Sequence, residues 1–152
     1  MAKLELIIAE INELVTTRMG NIVVYNTDGI FDSPIVIIAY LIKYWRMTVR
    51  KAVNHMASVR FGFNFGPKRS QLLLDIELKH IGSNSSKIKL YKRFGITGYK
   101  IFDFLKEDLP HLFAYEMEKS EAFQEKRLLP GRESHLMILL ETLRKDITLL
   151  RI

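Results

Sequence analysis

Four histidines, no cysteine and one short turn rich in acids and amides set the chemistry open to this chain. His55, His80, His111 and His135 are scattered, and none pairs at the H-x-x-x-H spacing that puts two imidazoles on one metal ion, so they read as isolated surface or core residues. The lack of cysteine excludes disulfides, cysteine-based zinc sites and a thiolate nucleophile together. Asn26, Asp28 and Asp32 could hold a cation, but calcium-loop spacing is absent and turn and capping roles account for them more simply. Ser33 could be drawn as a nucleophile; it has no histidine nearby in sequence, and capping a helix suits it better. Phe61, Phe63 and Phe65 beside Lys68 and Arg69 could stack bases, as single-strand binders do, although anchoring their loop in a core is the preferred reading. No metal and no cofactor is expected.

Charge adds a second lead. Residues 1–42 carry a net −3, residues 43–100 a net +11 and residues 101–152 a net −2. A basic middle between mildly acidic ends suggests an anionic partner: RNA, a phosphorylated protein or an acidic protein surface. The candidate contacts are Arg46, Arg50, Lys51, Lys68, Arg69, Lys89, Lys92 and Arg93. A solvated basic face is the plain alternative. With 152 residues, 48% of them hydrophobic, the chain has enough apolar material for a real core. No apolar run approaches the ~20 residues that span a bilayer, and the first residues do not read as a secretory signal. An intracellular protein away from membranes is expected.

The elements that must position these residues follow from periodicity. Leu4, Ile7, Ile8, Ile11, Leu14 and Val15 predict an amphipathic helix over 3–17. Ile22 to Tyr25 is a β-branched run that fits a buried strand. A loop over 26–32 leads to Ser33 as N-cap and Pro34 as first helical residue, opening a deeply buried helix to Trp45. Thr48 caps a helix to about Arg60, with Val49, Ala52, Val53, Met56 and Val59 inward. Another helix covers 68–79. Residues 82–87, Gly-Ser-Asn-Ser-Ser-Lys, read as a linker. Beyond it, 88–94 predicts a strand, 101–105 and 112–126 lean helical, and Ser134 opens a final helix carrying Leu136, Leu139, Leu140, Leu143, Ile147 and Leu150.

The stretch from Ile22 to Arg60 resembles the dual-specificity branch of the protein tyrosine phosphatases. In that family a buried strand enters a loop reading H-C-x-x-G-x-x-R-S; here Tyr25-Asn26-Thr27-Asp28-Gly29-Ile30-Phe31-Asp32-Ser33 matches at Gly29 and Ser33. The following family helix, near I-V-I-A-Y-L-M-K, is similar to Ile35 through Lys43, and the next is matched by Met47-Thr48, Ala52, Val59 and Arg60, with Gln71-Leu72 beyond. The resemblance covers about residues 4–76. It implies a central strand, a phosphate-binding loop and buried helices.

The catalytic positions depart from the family. Asn26 replaces the nucleophilic cysteine, Asp32 the phosphate-gripping arginine, and Tyr25 the preceding histidine. An amide supplies no nucleophile, and an anion stands where a bidentate cation should grip a dianion. Asp32 is expected to act instead as a built-in anion for the helix at Ser33. The residues before Asn26 read as helix and strand, so the family's general-acid loop is not expected. The fold class that follows is α/β: a partial phosphatase-like core over 1–81, a linker over 82–87, and a mainly helical extension over 88–152. The expected function is a catalytically inactive pseudophosphatase module bound to protein subunits of a larger assembly that completes its sheet. The alternative is an RNA-binding subunit of a ribonucleoprotein using the basic 43–100 segment.

Overall fold

The computed structural model describes residues 2–17, 21–27, 29–60, 62–93 and 97–118. All of these except residue 118 lie in a compact unit, Met1–Met117, distinct from Glu118–Ile152. The predicted linker 82–87 falls inside that unit, and the helix predicted from Ser134 falls outside the described residues. Broadly the fold is α/β, with helices packed beside one small antiparallel sheet.

Helix α1 (Ala2–Thr17) buries only Ile8 completely, with Leu4 packed at the edge of the core, while Leu6, Ile7 and Val15 remain exposed. Its docking is as much polar as apolar. Glu5 accepts hydrogen bonds from Lys43 and Lys79, each at 2.9 Å, and lies 3.1 Å from His80 Nε2. Burial pushes the Glu5 carboxyl up, but the hydrogen bonds from Lys79, Lys43 and His80 outweigh it and hold the group down at about 2. Its contribution to stability is therefore present above the ordinary carboxylate range and lost only as pH falls through about 2. At neutral pH, Glu5→Ala should speed hydrogen exchange across α1 and leave that of the core helices unchanged. Mass spectrometry checks this, and an α1 exchanging at the parental rate would refute it.

Helix α2 (Asp32–Tyr44) is the centre of the core, with Ile35, Ile38, Ala39, Leu41 and Ile42 buried. It begins two residues earlier than predicted: Phe31 is its N-cap, without a side-chain bond, and Ser33 and Pro34 lie within the first turn. Helix α3 (Val49–Val59) starts where expected, and Thr48 Oγ1 accepts the Lys51 N–H at 3.3 Å. Its inner face is Val49, Ala52, Val53 and Met56; Val59, in the last turn, is 75% exposed. Helix α4 (Gly66–Ile81) carries Pro67 in its first turn and ends on Gly82, whose φ of 89° gives the left-handed C-cap that a side chain would resist.

The predicted strand at Ile22–Tyr25 does not form. Residues 21–26 have no regular structure, and Val23 and Tyr25 are 79% and 86% exposed. A β-branched run is a strand only if another strand pairs with it, and none among the described residues does. The sheet lies later, where β1 (Ile88–Arg93) and β2 (Thr97–Phe102) pair antiparallel in a register running from Ile88↔Phe102 to Arg93↔Thr97. The first strand agrees with the sequence reading. The second overturns the helical lean of 101–105, because Tyr99 and Ile101 pair across to β1 before the chain turns into α5 (Leu105–Asp108). A further helix, α6 (110–118), follows.

Phe63 and Phe65 are core residues, as preferred over base stacking, while Phe61 lies outside the described residues. Their rings continue edge to face into Phe102, which stacks on Phe104 at 5.3 Å. This aromatic file fastens the hairpin to the helices, each ring contributing roughly 1.5–3 kcal/mol by leaving water.

Candidate functional site

The loop from Tyr25 to Ser33 is built against the segment that joins α3 to α4. Asn64 N–H donates to the Ile30 carbonyl at 3.1 Å. Gly29 has φ of 64°, and a Cβ there would stand 2.7 Å from Arg60 Nη2. The position thus suits glycine twice, by backbone conformation and by the guanidinium lying against it.

Asn26 and Asp32 divide the work of the loop in a way opposite to expectation. Asn26 Oδ1 accepts the Ser33 N–H at 3.4 Å, so an amide oxygen satisfies a donor in the first turn of α2. Asp32 turns away from that turn. Its Oδ1 accepts from Arg69 Nη2 at 2.7 Å and Nε at 3.1 Å, and its side chain is 67% exposed. Asp32 is the first residue of α2, inside the helix whose start it was expected to serve as a built-in anion. Arg69 also sits 5.1 Å from the Phe31 ring centroid. Ser33 Oγ is buried and has no partner among the described residues, so no general base is within hydrogen-bonding reach of it there. The exposed Tyr25 completes the loop. No group of three or more metal-ligating side chains occurs among the described residues.

The chain matches no protein-family model, no curated protein and no solved structure.

Three of the eight basic candidates, Arg46, Arg50 and Arg69, are engaged by groups within the unit. Arg46, at φ of 54° between α2 and α3, donates to the His80 carbonyl at the end of α4. Arg50 grips the Asp108 carboxylate with both ends of its guanidinium, Nε to Oδ2 at 2.6 Å, and Asn54 adds a third bond at 2.9 Å. The hydrogen bonds from Arg50, then from Asn54, hold the Asp108 carboxyl below its ordinary range. Arg69 is committed to Asp32. Lys51, Lys68, Lys89 and Lys92 are exposed and have no side-chain partner among the described residues, and Arg93 contributes its backbone to β1. No helix among the described residues is long and apolar enough to cross a membrane.

Sequence reasoning missed one residue at the loop and two buried acids that hold helix starts elsewhere in the unit. Arg60 was read only as a family match, not as the group beside Gly29. Glu77 is fully buried and accepts from Val49 N–H at 2.9 Å, Ser85 N–H at 3.0 Å and Ser85 Oγ at 2.5 Å. Glu116, 1% exposed, accepts from Phe65 N–H at 2.6 Å at the start of α4. The signal was present: Glu77 continues the stripe Ser70, Leu73, Leu74, and Glu116 continues Leu109, Leu112. An acid at helical spacing on a buried face must find donors.

Proposed function

We propose that this chain is a catalytically inactive, phosphatase-like domain, a pseudophosphatase, retained as a structural or protein-interaction module of a larger assembly. The observation that carries this reading is the occupation of the loop by its own side chains. Asn26, where the resemblance requires a thiolate, spends its amide oxygen on the helix start. Asp32, where it requires an arginine, faces Arg69. The exposed Val23 and Tyr25, with Trp45 at the end of α2, offer apolar surface to protein subunits. The reading includes an intracellular setting and requires no cofactor.

The expected result is no hydrolysis of aryl phosphates by the 152-residue chain, and none by Asn26→Cys, because Asp32 still holds the position where the resemblance requires the phosphate-gripping arginine. Turnover by either protein above a matched blank overturns the reading. A second reading, RNA binding through the basic segment, draws on the four exposed lysines. It requires an affinity for generic RNA that falls steeply with salt.

A further inference from the structure

Between the first turns of α4 and the hairpin lies an open cleft of about 450 Å³, lined by Pro67, Lys68, Gln71, Ile88, Leu90 and Lys100. None of these residues belongs to the Asn26–Ser33 loop. The cleft has a definite build. Leu90 and Lys100 are directly opposed across the two strands. Leu90, 54% exposed, lies over Gly98, where a Cβ would overlap it, so the glycine lets the leucine lie flat as part of the floor. Lys68 and Lys100 stand exposed at the cleft with no side-chain partner among the described residues. Gln71 donates its amide N–H to Asp75 at 2.9 Å, which leaves its carbonyl oxygen as an acceptor.

The hairpin side of the cleft carries charge of one sign, while Asp75, which accepts from Gln71, lies on the α4 side. From Leu78 to Phe102 the sequence contains no aspartate or glutamate, while Lys87, Lys89, Lys92, Arg93 and Lys100 all fall on or beside the hairpin. An aliphatic floor between lysines, set in a field of positive charge, is complementary to a peptide that carries an aliphatic side chain between carboxylates. Nucleic acid fits it less well. Single strands are held by bases stacked on exposed rings, and the cleft is lined by no aromatic residue. The nearby aromatics are otherwise engaged: Tyr99 is buried, and Tyr91 packs edge to face on Phe113 at 5.1 Å.

We propose that the cleft between α4 and the β1–β2 hairpin docks an acidic segment of a partner protein, with Ile88 and Leu90 receiving an aliphatic side chain and Lys68 and Lys100 pairing with its flanking carboxylates. The proposal rests on reading the chain as an interaction module and names where that interaction occurs. The two fail separately, because phosphatase turnover tests the loop and peptide binding tests the cleft.

The experiment uses the full chain and a fluorescent peptide of about ten residues in which one leucine is flanked on each side by aspartates and glutamates. Fluorescence anisotropy should report saturable binding that weakens with salt. Lys68→Glu combined with Lys100→Glu should weaken it about tenfold or more, as should replacing the peptide leucine with serine. Lys3→Glu, a charge reversal of the same kind placed on α1, should leave it unchanged, and circular dichroism confirms that each variant is folded. Absence of saturable binding by the parent chain overturns the proposal. So does equal binding by the double variant, or displacement of the peptide by oligouridylate at lower concentration than by unlabelled peptide.

Discussion

Raising the pH from 4.5 to 8 should lower the stability of this chain, and Glu116→Gln should remove most of that loss. Burial pushes the Glu116 carboxyl up to about 7, against the opposing pull of the Phe65 and Gly66 N–H groups, from an ordinary value of 4.5. The folded chain therefore holds this proton more tightly than the unfolded chain does. The stabilisation is fully present below 4.5 and is lost as pH rises through about 7. A shift of this size corresponds to on the order of 3 kcal/mol, a large part of the roughly 5–15 kcal/mol that holds a domain folded. Glutamine keeps an oxygen for the Phe65 N–H and has no charge to desolvate. Urea unfolding followed by circular dichroism at pH 5 and pH 8 provides the check. A Glu116→Gln chain that loses as much stability between these values as the parent would exclude Glu116 as the source.

Glu77→Ala should be the most destabilising single truncation of a polar side chain in the unit, by about 3 kcal/mol or more. Each buried donor left without an acceptor costs roughly 1–3 kcal/mol, and Glu77 serves the Val49 N–H, the Ser85 N–H and the Ser85 hydroxyl together. The loss has two separate places, the first turn of α3 and the segment that leads into β1. Glu77→Gln should cost less, since its one carbonyl oxygen can still serve part of the set. Urea midpoints of the two variants measure the difference, and an alanine variant within about 0.5 kcal/mol of the parent would contradict the assignment.

The helices were legible where a local rule and the core agreed. Thr48 caps α3 because a hydroxyl before an apolar stripe satisfies N–H groups that have no other partner, and Gly82 ends α4 because its backbone can turn left-handed. Strand pairing was harder to read, because it depends on residues distant in sequence. Ile22–Tyr25 has the composition of a strand and no strand to pair with among the described residues, whereas Thr97–Phe102, less strand-like to the eye, is opposite Ile88–Arg93. The loop was legible as a unit, and Gly29 lies within it at a positive φ. Its inner wiring was not, because nothing local distinguishes which of Asn26 and Asp32 faces the helix start and which faces Arg69. The basic segment misled in another way: charge counts do not register that Arg46, Arg50 and Arg69 are held by groups within the unit.

The two buried glutamates also impose an order of events on a chain made from its N-terminus. Each lies downstream of the helix whose first turn it completes: Glu77 follows Val49, and Glu116 follows Phe65. During synthesis α3 emerges before its acceptor exists, and α4 waits for residue 116, next to the last residue of its compact unit. Domains generally fold as units as they leave the ribosome. Here the final fastening of the helical core is withheld until the hairpin, α5 and most of α6 have been made, so a nascent chain stopped before residue 116 carries an α4 whose opening N–H groups still lack their carboxylate.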